Sequence, residues 1–508
     1  MRASIEKTDA QQGHPSRWAV LWVMCGSLVL VVVSVSSLNV AIPPIQRALG
    51  ASGSELQWII ASYALVFAGL LLPAGAIGDR FGRRGALLGG LTVFGIASVG
   101  GMLAGSSSQL IVWRGIMGAG AAFIMPATLS IVATVFGPSE RPKAIAIWAG
   151  FAGAGGVIGL ISSGLLLQSF WWGSVFAVNI PLVLLMLIAV VIVAPTSKDP
   201  ESSPLDPVGG VLSIVGLVSL VYGIIEGPES GWEATQTVVA FVIAAASLTA
   251  FVTWELRATW PMLDPRYFTD RRFSLGAITI TVAFFGIFGM FFVLTQFLQF
   301  VQGYNALEAG LRILPYGVVL LIVSPRAADL TERHGARIVT TTGMVIAAVG
   351  FGALALLEPA SNYALIAAGL ILAALGTGLL MPPATTALVA ALPPAKAGVG
   401  SAMNDTTREV GGALGIAVVG ALMSVGYRSA LGNATNSLDP AAAEEATDSF
   451  GGLLSVSAAL EPAAAQDLVR AGQSAFTNGM QLGMFTAAAL LSIGAVLVAS
   501  LHPSTQQN

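Results

Sequence analysis

Gly75 to Arg84 reads GAIGDRFGRR, a basic turn bracketed by glycines and set between two long apolar stretches. A weaker copy, AADLTERHGAR from Ala327 to Arg337, closes a similar stretch in the second half, so that Asp79-Arg80-Phe81-Gly82 recurs as Glu332-Arg333-His334-Gly335 at an offset of 253. Other segments repeat at nearly the same distance. Gly118 and Gly120 with MPATLSIVA from Met125 answer Gly376 and Gly378 with MPPATTALVA from Met381, and Lys143-Ala144 answers Lys396-Ala397. A chain duplicated in this way builds two similar halves.

Of the 508 residues, 55% are hydrophobic and 10% are charged, and the mean hydropathy is +0.82. Soluble domains do not have this composition. A spanning helix needs about 20 mainly apolar residues. Fourteen such stretches start near residues 18, 55, 85, 109, 142, 171, 207, 235, 273, 306, 337, 362, 396 and 477. They are too long and continuous for the alternation of a membrane barrel, so the fold class is an all-α membrane protein. The repeat pairs are stretches 2 with 10, 4 with 12 and 5 with 13, each eight apart. Two six-helix bundles are thus separated by two inserted helices, with the halves in the same orientation. The expected division is 1–200, 201–262 for the inserted pair, and 263–508, with a long polar loop at 429–475.

With both termini in the cytoplasm, the inner side holds Arg2, Lys7, Arg17, Arg80, Arg83, Arg84, Arg141, Lys143, Lys198, Arg257, Arg266, Arg271, Arg272, Arg326, Arg333, Arg337 and Lys396. The outer side holds Arg47, Arg428 and Arg470, an asymmetry that sets the orientation in the cytoplasmic (inner) membrane. Arg114, Arg312 and Arg408 lie inside apolar stretches. Cys25 is the single cysteine and His14, His334 and His502 lie outside the apolar stretches, so no metal or haem site is expected. No phosphate-binding G-x-x-x-x-G-K-[ST] loop is present, and no nucleophile elbow or cofactor loop. The chain is read as no enzyme, without cofactor and without nucleic-acid partner, working from a gradient.

The sequence resembles a fourteen-helix member of the major facilitator superfamily, of the EmrB/QacA type of drug and proton antiporter, over essentially its whole length. GAIGDRFGRR matches the family's G-x-L-x-D-R-x-G-R-R loop, and LIVWRGIMGAGAA from Leu110 fits its fourth-helix pattern with Arg114. NVAIPPIQ from Asn39 and WGSVFAVNIP from Trp172 are further matches. The resemblance implies export of small, often amphipathic compounds in exchange for protons, by a monomer that alternates access to a central cavity. It also implies that the loop of Gly75, Asp79, Arg80, Gly82 and Arg83, with Glu332 and Arg333, latches the cytoplasmic side. On the residues alone, Asp79 suits hydrogen bonds from a neighbouring helix end, while Arg80, Arg83 and Arg84 suit anionic headgroups.

Stretch 13 carries Asp405, Arg408 and Glu409 in apolar surroundings. Asp405 and Glu409 share a helix face, with Arg408 between them. Two carboxylates in a low-dielectric site cannot both ionise cheaply, so the pair suits proton binding, with Glu409 the first candidate. The alternative is a structural network neutralised by Arg408. For Arg114 the choice lies between a structural arginine tied to carbonyls and, from the family, a residue that modulates a nearby acid's protonation. Gly155, Gly159 and Gly164 give stretch 5 a small face for close packing. The family's signature there has a proline and a further glycine, where this chain has Leu160 and Ser163. Two aspartates of well-studied multidrug members are likewise Ser34 and Ala61.

Asn39, Trp58, Phe288, Gln296 and Gln299 are expected to line the substrate cavity; the aromatic face of Phe284, Phe288 and Phe291 meets either a planar drug or lipid. The 429–475 loop, with GGLLSVSAAL between acidic clusters, packs as short helices or a hairpin over the exit, or serves as a spacer. Three functions follow: proton-driven efflux of hydrophobic drugs or metabolites, transport of one dedicated metabolite, lipid or siderophore, and a sensor or scaffold without transport.

Overall fold

The computed structural model describes residues 14–137, 140–198, 206–392 and 397–501. Arg2, Lys7, Lys396 and His502 lie outside them. The described residues form helices and connecting turns, without a strand. In chain order the long helices are α1 (Arg17–Leu49), α2 (Gly53–Phe81), α3 (Arg83–Met102), α4 (Ser107–Val135), α5 (Arg141–Ser169), α6 (Ser174–Val193), α7 (Pro207–Ser230), α8 (Thr235–Glu255), α9 (Arg271–Val301), α10 (Ala306–His334), α11 (Ala336–Leu354), α12 (Tyr363–Ala390) and α13 (Ala397–Leu431). The short α14 (Pro440–Asp448) and α15 (Phe450–Ser457) and the long α16 (Pro462–Leu501) follow. Thirteen of these are long and apolar enough to cross a membrane, and the shorter apolar run Ala154–Ser169 lies within α5. Together they make fourteen spans.

The duplication is visible in the packing. Against α2 lies α4, as α12 lies against α10; α3 packs on α4 as α11 does on α12, and α1 on α5 as α9 on α13. Even the helix starts repeat. Ser52 caps α2 in a box with Glu55, and Asn305 caps α10 in a box with Glu308, 253 residues on, each satisfying otherwise orphaned N–H groups. Both basic hairpins turn at a glycine with positive φ, Gly82 at 123° and Gly335 at 83°. Close approach also repeats: a side chain on Gly90 would meet the Gly120 carbonyl, and one on Gly343 the Gly376 carbonyl, both at 2.8 Å. The packing therefore aligns Gly120 with Gly376, correcting the expected pairing of Gly118 with Gly376 by two positions.

Two interfaces join the halves, again as a pair: α13 on α2, and α10 on α5. Along α7, Val221 and Ile225 fill the angle between Ala61, Ala64 and Leu65 of α2 and Ala413 and Ala417 of α13. This inserted helix seals one seam. Its partner α8 packs on α7 and turns Val238, Val239 and Val242 outward, a surface suited to lipid and not to water. The last helix starts at Pro462, ahead of the apolar stretch that begins near 477; its early turns are amphipathic and dock on α15, where Gly472 faces Leu453 and Phe450. The connection between α13 and α16 is correspondingly shorter than 429–475.

Candidate functional site

Along α13, Asp405 and Glu409 fall on one face but meet different surroundings. Asp405 Oδ1 accepts from Arg408 Nη1 at 3.4 Å and from Asn404 Nδ2 at 3.3 Å, and Asn404 Oδ1 accepts from Thr385 of α12 at 3.0 Å. The Arg408 guanidinium also lies 4.6 Å from the centre of the Phe284 ring. Glu409 Oε2 is buried with no hydrogen-bond partner among the described residues, as is Arg408 Nε. A carboxyl oxygen out of water and without a donor is an expensive arrangement for a charged group, and an inexpensive one for a group that carries a proton.

Arg114 is 1% exposed in α4. Its Nε donates to the Ile59 carbonyl of α2 at 3.1 Å and its Nη1 to Met117 Sδ at 3.3 Å, while its guanidinium carbon lies 4.4 Å over the Tyr63 ring. Nη2 and the Tyr63 hydroxyl are buried without partners among the described residues. Tyr63 thus lies against the cation of the first half. Nothing in the local sequence around Tyr63 singles it out; Arg114 lies 51 positions away.

The expected cavity residues separate. Asn39 Nδ2 donates to Val35 O of its own helix at 3.3 Å. Phe288 closes over Gly412 of α13 and beside Phe284, with ring centres 5.9 Å apart. Gln296 is buried and donates to Phe292 O, whereas Gln299, carried on a π turn from Phe297 to Val301, donates to Val40 O of α1 at 2.9 Å. That bond ties the two halves together. Trp58 lies away from this group: its indole donates to Glu226 of α7 at 3.1 Å, and it packs with Tyr222 at the sealed seam.

On α5 the glycines allow contact too close for any side chain. A Cβ on Gly159 would fall 2.8 Å from Val33 O and within bonding range of Ser36 Oγ; one on Gly155 would meet Val32 at 3.0 Å, both on α1. Gly164 faces instead the backbone of Leu307 in α10 at 2.7 Å. Further cross-half contacts cluster nearby, with Gly310 against Leu160 O, Gly317 against Val157 and Gly420 against Gln57. Those of Gly164, Gly310 and Gly420 lie toward the end of the bundle that carries α14 and α15, here called the loop end, and that of Gly317 lies near mid-helix. The contacts named between the halves thus concentrate there, away from the basic hairpins.

At those hairpins, Arg83 Nε donates to Asp79 Oδ1 at 2.7 Å and Arg84 Nη2 to Val191 O of α6 at 2.6 Å. Arg83 and Arg84 are thus each engaged within the protein through one donor. Arg80 is exposed beside Phe81, and a Cβ added to Gly75 would lie 3.6 Å from Pro126 of α4. Glu332 and Arg333 are exposed and form no ion pair among the described residues. The remaining intramembrane cation, Arg312, stacks 3.5 Å from the Tyr304 ring centre and donates to Glu308 O.

Two repeated helix bundles, joined at two equivalent seams with ionisable groups beside one of them, define a membrane transporter fold. Residues 24–416 match the model of the Major Facilitator Superfamily, and the chain belongs to that family. It is 33% identical over 500 residues to the multidrug efflux pump LfrA of Mycolicibacterium smegmatis, covering 98% of this chain and 99% of that one. It is 32% identical to the methyl viologen resistance protein SmvA of Salmonella typhimurium, over 94% and 97% of the two chains. Among solved structures, a bacterial homologue of the human lysosomal transporter Spinster, inward-facing and unoccupied, superposes with a TM-score of 0.67 at 19% identity, over 96% of each chain.

Proposed function

We propose that this multi-pass membrane protein exports small hydrophobic or amphipathic compounds across the inner membrane in exchange for protons, working as a monomer with both termini in the cytoplasm. Similarity along the whole chain to efflux and resistance proteins supports the export direction. The observation that carries proton coupling is Glu409, whose buried Oε2 lacks a donor among the described residues while its neighbour Asp405 takes Arg408. In this reading the halves 1–200 and 263–508 rock about the seams, with 201–262 as a flank. Loop-end closure, held by contacts such as Gln299 to Val40, belongs to the state open toward the basic end.

Glu409 takes up a proton when the loop end opens and releases it when the basic end opens, and the Asp405–Arg408 pair keeps a countercharge beside it in both states. Arg114 and Tyr63 sense that charge from α4 and α2. Gly155, Gly159 and Gly164 let α5 slide as a close-packed surface, and the hairpin of Asp79 and Arg83 serves the gate at the basic end.

Ethidium efflux from an efflux-deficient bacterial host tests this. Wild type is expected to expel dye in a manner abolished by a protonophore and by Glu409→Gln. Well-expressed protein that moves no ethidium would contradict the broad multidrug reading.

A further inference from the structure

Between α13 and α16 the chain makes a strap that touches both halves. On the C-terminal side Tyr427 Oη donates to Ala446 O at 2.9 Å, and Phe450 packs against Phe300 and Phe476 with ring centres 5.7 and 6.0 Å apart. On the N-terminal side a Cβ added to Gly53 would lie 3.4 Å from the Asp448 carbonyl, and one on Gly451 would meet the Gln46 side chain. Beneath the strap lies a cavity of about 20 Å³ bordered by Gln46, Gln296, Tyr427 and Asp448. That is room for about one water.

Asp448 sits where the strap meets the bundle. Arg428 of α13 approaches its Oδ1 at 3.5 Å, but the same guanidinium donates to Pro228 O of α7 at 3.1 Å and its Nε has no partner among the described residues. Glu229 of α7, Glu55 of α2 and Glu444 of α14 lie near enough for their charges to act on Asp448, and Asp448 in turn acts on the Tyr427 phenol. Arg47 of α1 is turned onto the Phe300 ring. Asp448 thus stands in the field of three other carboxyl groups, and the guanidinium it pairs with is divided between it and Pro228 O. Moving Asp448 from open water into this setting removes solvent and adds like charge, and both effects favour its neutral form.

We propose that Asp448 is a second proton-binding group, on the outer strap, and that its protonation docks the strap, so that acid at the loop end closes that end. The inference rests on the proposed function in one respect, that the loop end faces outward and the proton arrives there. Burial, and then Glu229, push the docked carboxyl from its ordinary 3.8 up to about 6, with Arg428 opposing and Glu55 and Glu444 adding smaller pushes in the same direction. A group raised in the docked state stabilises docking below its undocked value, and that contribution is lost as pH rises through about 6. With the side chain 28% exposed, solvent screening reduces the effect to about tenfold in the docking equilibrium. In an antiport cycle such docking returns the protein to its loop-end-closed form after a proton has been loaded.

Spin labels at Ala441→Cys on α14 and Thr235→Cys on α8, in a Cys25→Ala background in lipid nanodiscs, report strap position by electron–electron distance between pH 4.5 and 8. The ratio of docked to undocked strap is expected to rise about tenfold as pH falls through 6. Asp448→Asn is expected to remain docked at every pH. Tyr427→Phe is expected to lower docking throughout while preserving its pH dependence. Docking that strengthens as pH rises would show the ion pair with Arg428 to dominate and would overturn the proposal. So would a wild-type strap docked equally at every pH, or an unchanged pH dependence in Asp448→Asn. No transport is read, so failure of proton-coupled efflux and failure of the strap are separately visible.

Discussion

Asp405 and Glu409 stand one turn apart on α13, yet Arg408 pairs with Asp405 and leaves Glu409 Oε2 without a donor among the described residues. The two carboxyls therefore have different work. Glu409→Gln is expected to lower proton-driven efflux by about tenfold or more with normal expression and thermal stability. Asp405→Asn is expected to cost about 1–3 kcal/mol of stability, because it strands a partly buried guanidinium. Thermal unfolding beside an efflux assay separates these outcomes.

Arg114 can be tested by keeping its volume and removing its charge. Arg114→Met fills the same space between Ile59 and Tyr63, so folding is expected to survive, whereas Arg114→Ala is expected to lose about 2–5 kcal/mol through the cavity it leaves. Efflux is expected to fail in Arg114→Met. Full efflux there would assign Arg114 a packing role.

Two neighbouring glycines of α5 should respond oppositely. Gly159→Ala drives a methyl into the backbone of Val33 and is expected to cost about 1–3 kcal/mol. Gly156→Ala meets no atom within 4 Å and is expected to be neutral or to gain up to about 1 kcal/mol from helix propensity. Folded yield and melting temperature of the two variants check this.

Asp79 and Arg83 are 35% and 13% exposed and close the basic hairpin at 2.7 Å. Partial exposure limits the pair to about 0–1 kcal/mol of stability. Asp79→Asn and Arg83→Ala are therefore expected to leave melting nearly unchanged while slowing transport, and a double-mutant cycle on transport rate measures their coupling.

Much of the architecture is legible in the sequence. Long apolar runs mark the spans because lipid leaves the backbone no other partner, and the 253-residue offset marks the halves. The capping boxes at Ser52 and Asn305 repeat at the same offset but use different cap residues, which hides them from a match by identity. The start of α16 was missed because its first turns pack on α15 and are not uniformly apolar. Asp405, Arg408 and Glu409 stand out as charges in an apolar stretch, but which acid holds the arginine depends on rotamers and on Asn404 and Phe284. Tyr63 and the Trp58–Glu226 bond were invisible for another reason: each joins helices distant in the chain, and an aromatic residue in an apolar run gives no local sign of its polar tip.

The central claim is that substrate and proton movements are coupled through Glu409. Purified protein in liposomes loaded with a pH-sensitive dye, given an ethidium gradient and no imposed pH gradient, tests it most directly. Wild type is expected to move protons against the ethidium flux, and Glu409→Gln to move none. Ethidium flux in wild type without proton movement, or proton movement undiminished in Glu409→Gln, would contradict the account.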